Sequence, residues 1–151
     1  MIKLTAAALL LLSAAPLPAF AQAPAAPASA QASASLTLAF AGIERPTGAI
    51  MIALFDSEEG WRTNRPVRTA MVPVGGATAE TLIEGLAPGR YGVKLFHDVD
   101  GDHRMGTNPF GMPTEPFAFS NNAHGSMGPA TWADAAFDLA AGAGRQTINI
   151  Q

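Results

Sequence analysis

The chain has 151 residues, no cysteine, and nine basic against twelve acidic side chains, for a formal net charge of −3. Lack of cysteine removes thiol catalysis, iron–sulfur clusters and cysteine-bound zinc from consideration. An acidic balance argues against nucleic acid and anionic lipid surfaces as partners.

The first segment, "MIKLTAAALLLLSAAPLPAFAQ", has Lys3 as a positive start, an apolar run from Leu4 to Ala15, and Ala19-Phe20-Ala21 before Gln22. That pattern predicts a secretory signal peptide over residues 1–21. Pro16 and Pro18 cut the apolar run well short of the ~20 residues a spanning helix needs, so no membrane span is expected after cleavage. Residues 22–35, "QAPAAPASAQASAS", carry no charge and nothing large to bury, which predicts a flexible linker. The folded domain is expected over residues 36–151, a monomeric unit working in the periplasm or outside the cell. With Lys3 removed, eight basic residues face twelve acidic ones, a net charge of −4.

Short apolar runs then follow one another, separated by turn residues. "LTLAFAG" (36–42) alternates large and small residues, and "GAIMIALFD" (48–56) is apolar on both faces. "VRTAMVPV" (67–74) and "ATAETLIEGL" (77–86) are joined by Gly75-Gly76, a hairpin signal. "APGRYGVKLFHD" (87–98) opens on a Pro-Gly turn and sends Tyr91, Val93 and Leu95 to one side. "EPFAFS" (115–120), "DAAFDLA" (134–140) and "RQTINIQ" (145–151) complete the set, the last with Ile148 and Ile150 facing inward. Seven to eight short strands without a long helical period predict an all-β fold, a single antiparallel β-sandwich. Two short helical turns are expected: "DSEEGW" (56–61), capped by Asp56 or Ser57, and "TWAD" (131–134), where Thr131 and Asp134 form a loose capping box.

Two long loops, from Asp98 to about Pro113 and from Ser120 to Ala133, hold most of the polar chemistry; loops of this length tend to be functional. The first begins "HDVDGDHRMGTN". Calcium takes six to eight oxygens at about 2.3–2.6 Å, and carboxylates at i, i+2 and i+4 begin such a set. Asp98, Asp100 and Asp102 fit that beginning, with Asn108, Glu115 or the carbonyl near Arg104 available to complete it. An EF-hand is excluded: counted from Asp98, the glycine stands fourth rather than sixth, and Pro109 occupies the twelfth position where a glutamate belongs. The competing reading is an Asp100-Gly101 turn with solvated carboxylates. Paired acid–base carboxylates would need to face each other across a cleft, which neighbours on one exposed loop rarely do.

His97, His103 and His124 fall in or beside the long loops together with Met105, Met112 and Met127. Imidazole and thioether suit copper, though methionine is more often an adaptable filler. A Ser120/His124/Asp134 triad can be written down, but it lacks a nucleophile elbow. Trp61 and Trp132 could stack on a sugar, or lie as lids on the core beside their capped turns. Asn121 and Asn122 suit bridging of loop backbone.

The segments "GLAPGRYGVKLFHDVDGD" and "TNPFGMPTEPFAFSNNAHGSMGPATWADAAFDL", with the terminal "TINI", resemble a bacterial domain-of-unknown-function family, number 2141. The resemblance spans essentially the whole domain after the linker. It implies secretion and a small β-sandwich in the style of transthyretin-like and carboxypeptidase-regulatory modules. It implies no activity, cofactor or catalytic residue.

The expectation is therefore a non-enzymatic secreted or periplasmic binding or structural module of the cell envelope, with an acidic loop that Ca²⁺ would stabilise. Its partner would be an envelope component or a glycan. Three alternatives stand beside it: a copper-type metal-handling protein, a carbohydrate-binding module, and a hydrolase.

Overall fold

The computed structural model describes residues 33–150. The expected signal peptide and residues 22–32 of the expected linker lie outside the described residues. Eight strands occur among them, and they form two sheets. One sheet has the order β4-β1-β8, with β1 at Ala34–Ala41, β4 at Ala79–Leu86 and β8 at Gly142–Asn149. The other has the order β3-β2-β5-β6, with β2 at Ala49–Phe55, β3 at Arg68–Pro73, β5 at Gly89–Asp98 and β6 at Phe117–Phe119. The short β7, Phe137–Leu139, pairs with the first residues of β5.

Period-two alternation builds the core between these sheets. Leu36, Leu38 and Phe40 of β1 face Ile50, Ile52 and Leu54 of β2 and Tyr91, Val93 and Leu95 of β5, all buried. Ile148 and Ile150 join the same cluster, as their alternation predicts. Tyr91 adds a corner: its hydroxyl donates to the Ala87 carbonyl at 2.8 Å, tying the start of β5 back across the Pro88-Gly89 turn. Tyrosine corners of this kind recur in β-sandwiches. The arrangement is sandwich-like and all-β.

Three details differ from the sequence reading. β1 begins at Ala34, which is buried, so the first strand takes in the last two residues of the expected linker. β1 and β8 run parallel, paired from Ala34↔Gly142 to Ala41↔Asn149, and this makes the first sheet mixed. Alternation specifies which face a strand buries and is silent on which way its neighbour runs. Gly75-Gly76 does not close a hairpin either. β3 pairs with β2 and β4 with β1, so this turn carries the chain from one sheet to the other. Val74 is buried beside it, and the crossing lets both strands turn their apolar faces into one core.

Both helical turns form where their caps predict. Ser57 accepts the Gly60 N–H at the start of α1, Glu58–Thr63. Thr131 accepts the Asp134 N–H and donates to the Asp134 carboxylate at 2.6 Å, starting α2 at Trp132–Ala135. They cover the outer face of the second sheet. There Phe55, Trp61, Phe119, Ala130 and Ala135 form a second buried cluster. No helix among the described residues is long and apolar enough to cross a membrane.

Candidate functional site

β5 pairs with β2 from Gly92↔Phe55 to Asp98↔Ala49, and this pairing places the candidate residues at two ends of one sheet. Six steps of extended chain lead from Gly92 to Asp98, about 20 Å at ~3.3 Å per residue. The tryptophans and Ser120 lie toward the Gly92 end. The aspartates lie at the other.

At the aspartate end, β5 delivers Asp98 into the interior with its side chain fully buried. Its Oδ1 accepts the Gly101 N–H at 2.8 Å and its Oδ2 the His103 N–H at 3.0 Å, so one carboxylate shapes the whole turn. Burial alone would raise its pKa. The N–H groups of Gly101, His103 and Asp102 and the His103 imidazole outweigh burial and hold the carboxyl below its ordinary range. Asp100 and Asp102 continue the pattern while exposed: Asp100 accepts the Asp102 N–H, and Asp102 accepts the Arg104 N–H.

One oxygen from each of Asp98, Asp100 and Asp102 lies within 4.8 Å of the other two. Two ligands on opposite sides of a Ca²⁺ ion stand about 4.6–5.2 Å apart, twice the usual Ca–O distance, so the three oxygens fit one coordination sphere. The turn has a further feature of such loops. His103, sixth from Asp98, sits at φ +61°, a left-handed turn at the position where EF-hand loops, which this one is not, place a glycine. The backbone makes the sixth-position turn even though the glycine stands at position four.

Asn108 and Glu115 do other work. Both Glu115 oxygens accept backbone N–H groups, from Val99 at 2.9 Å and Gly106 at 3.0 Å, clamping the two arms of the loop. Asn108 Oδ1 accepts the N–H groups of Phe110 and Met112, closing a separate turn at the loop tip. Of the five candidate ligands, the fold brings together the three aspartates and gives the other two to the scaffold. The Glu115 contacts form only once the loop has folded back on itself, so spacing carried no signal of them, whereas the Asn108 turn is local.

The histidines do not converge among the described residues. His97 is buried, with Nε2 2.7 Å from the Thr47 carbonyl, an acceptor that requires the ring to donate from that nitrogen. His103 is largely exposed beside Asp98, and His124 is exposed on the other long loop. Met112 and Met127 are exposed as well. The copper-type set is thus not assembled.

Two members of the hydrolase set, Ser120 and Asp134, are tied into the scaffold. Ser120 is fully buried, its hydroxyl donating to the Ala135 carbonyl at 2.6 Å and accepting the Val93 N–H at 2.8 Å. It fills a missing rung between β5 and the α2 turn. The Asp134 carboxylate is held by Thr131. The tryptophans also pack inward. Trp61 is buried, donates to the Ala130 carbonyl at 3.0 Å and meets the rings of Phe55, Phe119 and Trp132 at centroid distances of 5.3–5.9 Å. Lys94 lies 4.6 Å from the centre of the Trp61 ring and donates to the Trp61 carbonyl at 2.7 Å, and burial lowers its pKa. These rings are the lid over the sheet.

Asn121 and Asn122 both take left-handed backbone conformations, at φ +56° and +51°. The Asn121 amide donates to the carbonyls of Asp134 and Ala136, and Asn122 bonds to the edge of β8. Beside Asn122 a groove of about 320 Å³ opens between β6 and β8, lined among others by Phe117, Phe119, His124 and Asn149. Sequence reading missed this groove, because its walls come from segments about thirty residues apart.

The sequence model of the family described as "Uncharacterized protein conserved in bacteria (DUF2141)" matches residues 39–148. The match takes in all but the ends of the two-sheet domain, and the chain belongs to this family. No curated protein and no solved structure matches the chain.

Proposed function

We propose that this member of the DUF2141 family is a non-enzymatic binding or structural module of the bacterial envelope, working outside the cytoplasm with a Ca²⁺-stabilised loop. The observation that carries the reading is the convergence of one oxygen each from Asp98, Asp100 and Asp102 within 4.8 Å. Three carboxylates at that spacing repel one another, and a divalent cation would turn the repulsion into attraction. Hard oxygen donors suit Ca²⁺, and the exposure of Asp100 and Asp102 leaves room for water or a partner's oxygen to complete its shell. The extracytoplasmic setting is supported by the Lys3, Leu4–Ala15 and Ala19-Phe20-Ala21 pattern. The non-catalytic reading is supported by Ser120 and Asp134, whose side chains are committed to scaffold bonds.

Thermal melts in calcium and in chelator test the proposal. At a hundredfold excess over the dissociation constant, bound calcium stabilises the folded state by about 2.7 kcal/mol. Asp100→Ala should erase the difference between the two conditions. Identical melting of the wild type in both would discard the calcium site and leave an acidic turn shaped by Asp98.

A further inference from the structure

The Phe117 groove points to a ligand class, and we propose that it binds a neutral saccharide. Three features of its lining decide this. Among the described residues no lysine, arginine, aspartate or glutamate contributes to it, and His124 is its one titratable group, which disfavours multiply charged ligands. Its apolar contribution is a flat ring: Phe117 is 38% exposed and lies against Phe119 at 5.8 Å between centroids. Its polar contribution is the exposed His124 imidazole and the Asn149 side-chain amide, neither of which hydrogen-bonds among the described residues. A sugar combines one C–H-rich face with a rim of hydroxyls, and this wall offers the complement to both. The volume of about 320 Å³ is enough for a sugar ring and lies within the range of small-molecule sites.

The groove is also preformed. Ser120 locks the end of β6 to β5, and Asn122 locks the next segment to β8. Phe119 is held from behind by Trp61, so the floor does not have to be assembled on binding. A wall already ordered lowers the entropic cost of binding. The site differs from the tryptophan-based sugar site considered from sequence: Trp61 belongs to the buried floor cluster and presents no open face. No residue of the aspartate turn lines it.

Backbone-amide NMR titration with triacetylchitotriose and with maltotriose, in chelator so that calcium plays no part, tests the proposal. The titration should run to about 10 mM sugar, beyond the millimolar dissociation constants of weak recognition. The expected result is saturable shifts at residues 117–119, 122–125 and 149 with at least one of the two sugars. Phe117→Ala should weaken binding at least tenfold. Asn149→Ala removes an exposed side-chain amide with no bond among the described residues and keeps the backbone N–H, so the fold should survive while affinity falls severalfold. The proposal is overturned if neither sugar shifts these amides, if the shifts centre on Trp132 instead, or if both variants bind as the wild type does.

Discussion

Asn122 takes the place of a neighbouring strand for Asn149: its Oδ1 accepts the Asn149 N–H at 2.8 Å, while its Nδ2 donates to the Thr147 carbonyl at 3.4 Å. β8 is an edge of its sheet, and an open edge leaves N–H and C=O groups unpaired. A side-chain amide carries the same donor and acceptor as a peptide group. The left-handed backbone at Asn122 aims that amide at the strand, and asparagine is among the residues that tolerate the conformation best.

Replacing Asn122 therefore separates two effects. Asn122→Gly keeps the backbone conformation and loses the bonds; Asn122→Ala loses both. We expect the glycine variant to cost about 1 kcal/mol, near the net value of a hydrogen bond, and the alanine variant more. Amide exchange at Asn149 should quicken in both. Unchanged exchange would show that the amide does not protect this edge.

Gly92 sets how closely the aromatic lid approaches the sheet. A Cβ there would meet Trp132 at 2.9 Å and Trp61 at 3.0 Å, both inside contact distance. Gly92→Ala should cost about 1–3 kcal/mol by overpacking. Tryptophan fluorescence should shift with it, because Trp61 and Trp132 must move outward. A variant with wild-type stability and emission would mean that the lid is looser than its packing indicates.

Asp98 makes an acid-limb prediction with a definite sign. Its folded pKa lies below its ordinary value, so the unfolded chain takes up its proton first as pH falls. The stabilisation from Asp98 is complete above the unfolded value near 3.9 and drains away below it, as pH passes toward the lower folded value. Melts in chelator should show stability falling below about pH 4, with a shallower acid limb in Asp98→Asn. Equal slopes would place the acid sensitivity elsewhere.

The parts of this molecule legible in sequence are those that follow from local rules. Leu36, Leu38 and Phe40, and Tyr91, Val93 and Leu95, alternate because successive side chains leave a strand on opposite faces, so their burial could be read directly. Ser57 and Thr131 announced their helical turns because a cap acts within three or four residues. The aspartate trio was visible for the same reason: i, i+2 and i+4 already form one local curve. Strand pairing was not legible. The parallel match of β1 with β8 and the crossing at Gly75-Gly76 depend on how two sheets share one core, and neither strand's pattern contains its partner.

The distribution of polar side chains between scaffold and site belongs to the same divide. Glu115, Asn108, His97 and Ser120 are the residue types that chemistry uses, and in sequence they look available. Each is consumed by a backbone group distant in the chain or across a turn: Val99 and Gly106, Phe110 and Met112, Thr47, Val93 and Ala135. Burying a loop's N–H and C=O groups demands partners, and the nearest polar side chains supply them whatever else they could have done. By itself, then, the sequence determined strand faces, caps and an acidic turn, all set by neighbours along the chain. Only the tertiary structure decided which polar groups remained free for a ligand, because a hydrogen bond is satisfied in space and its partner can stand anywhere in the sequence.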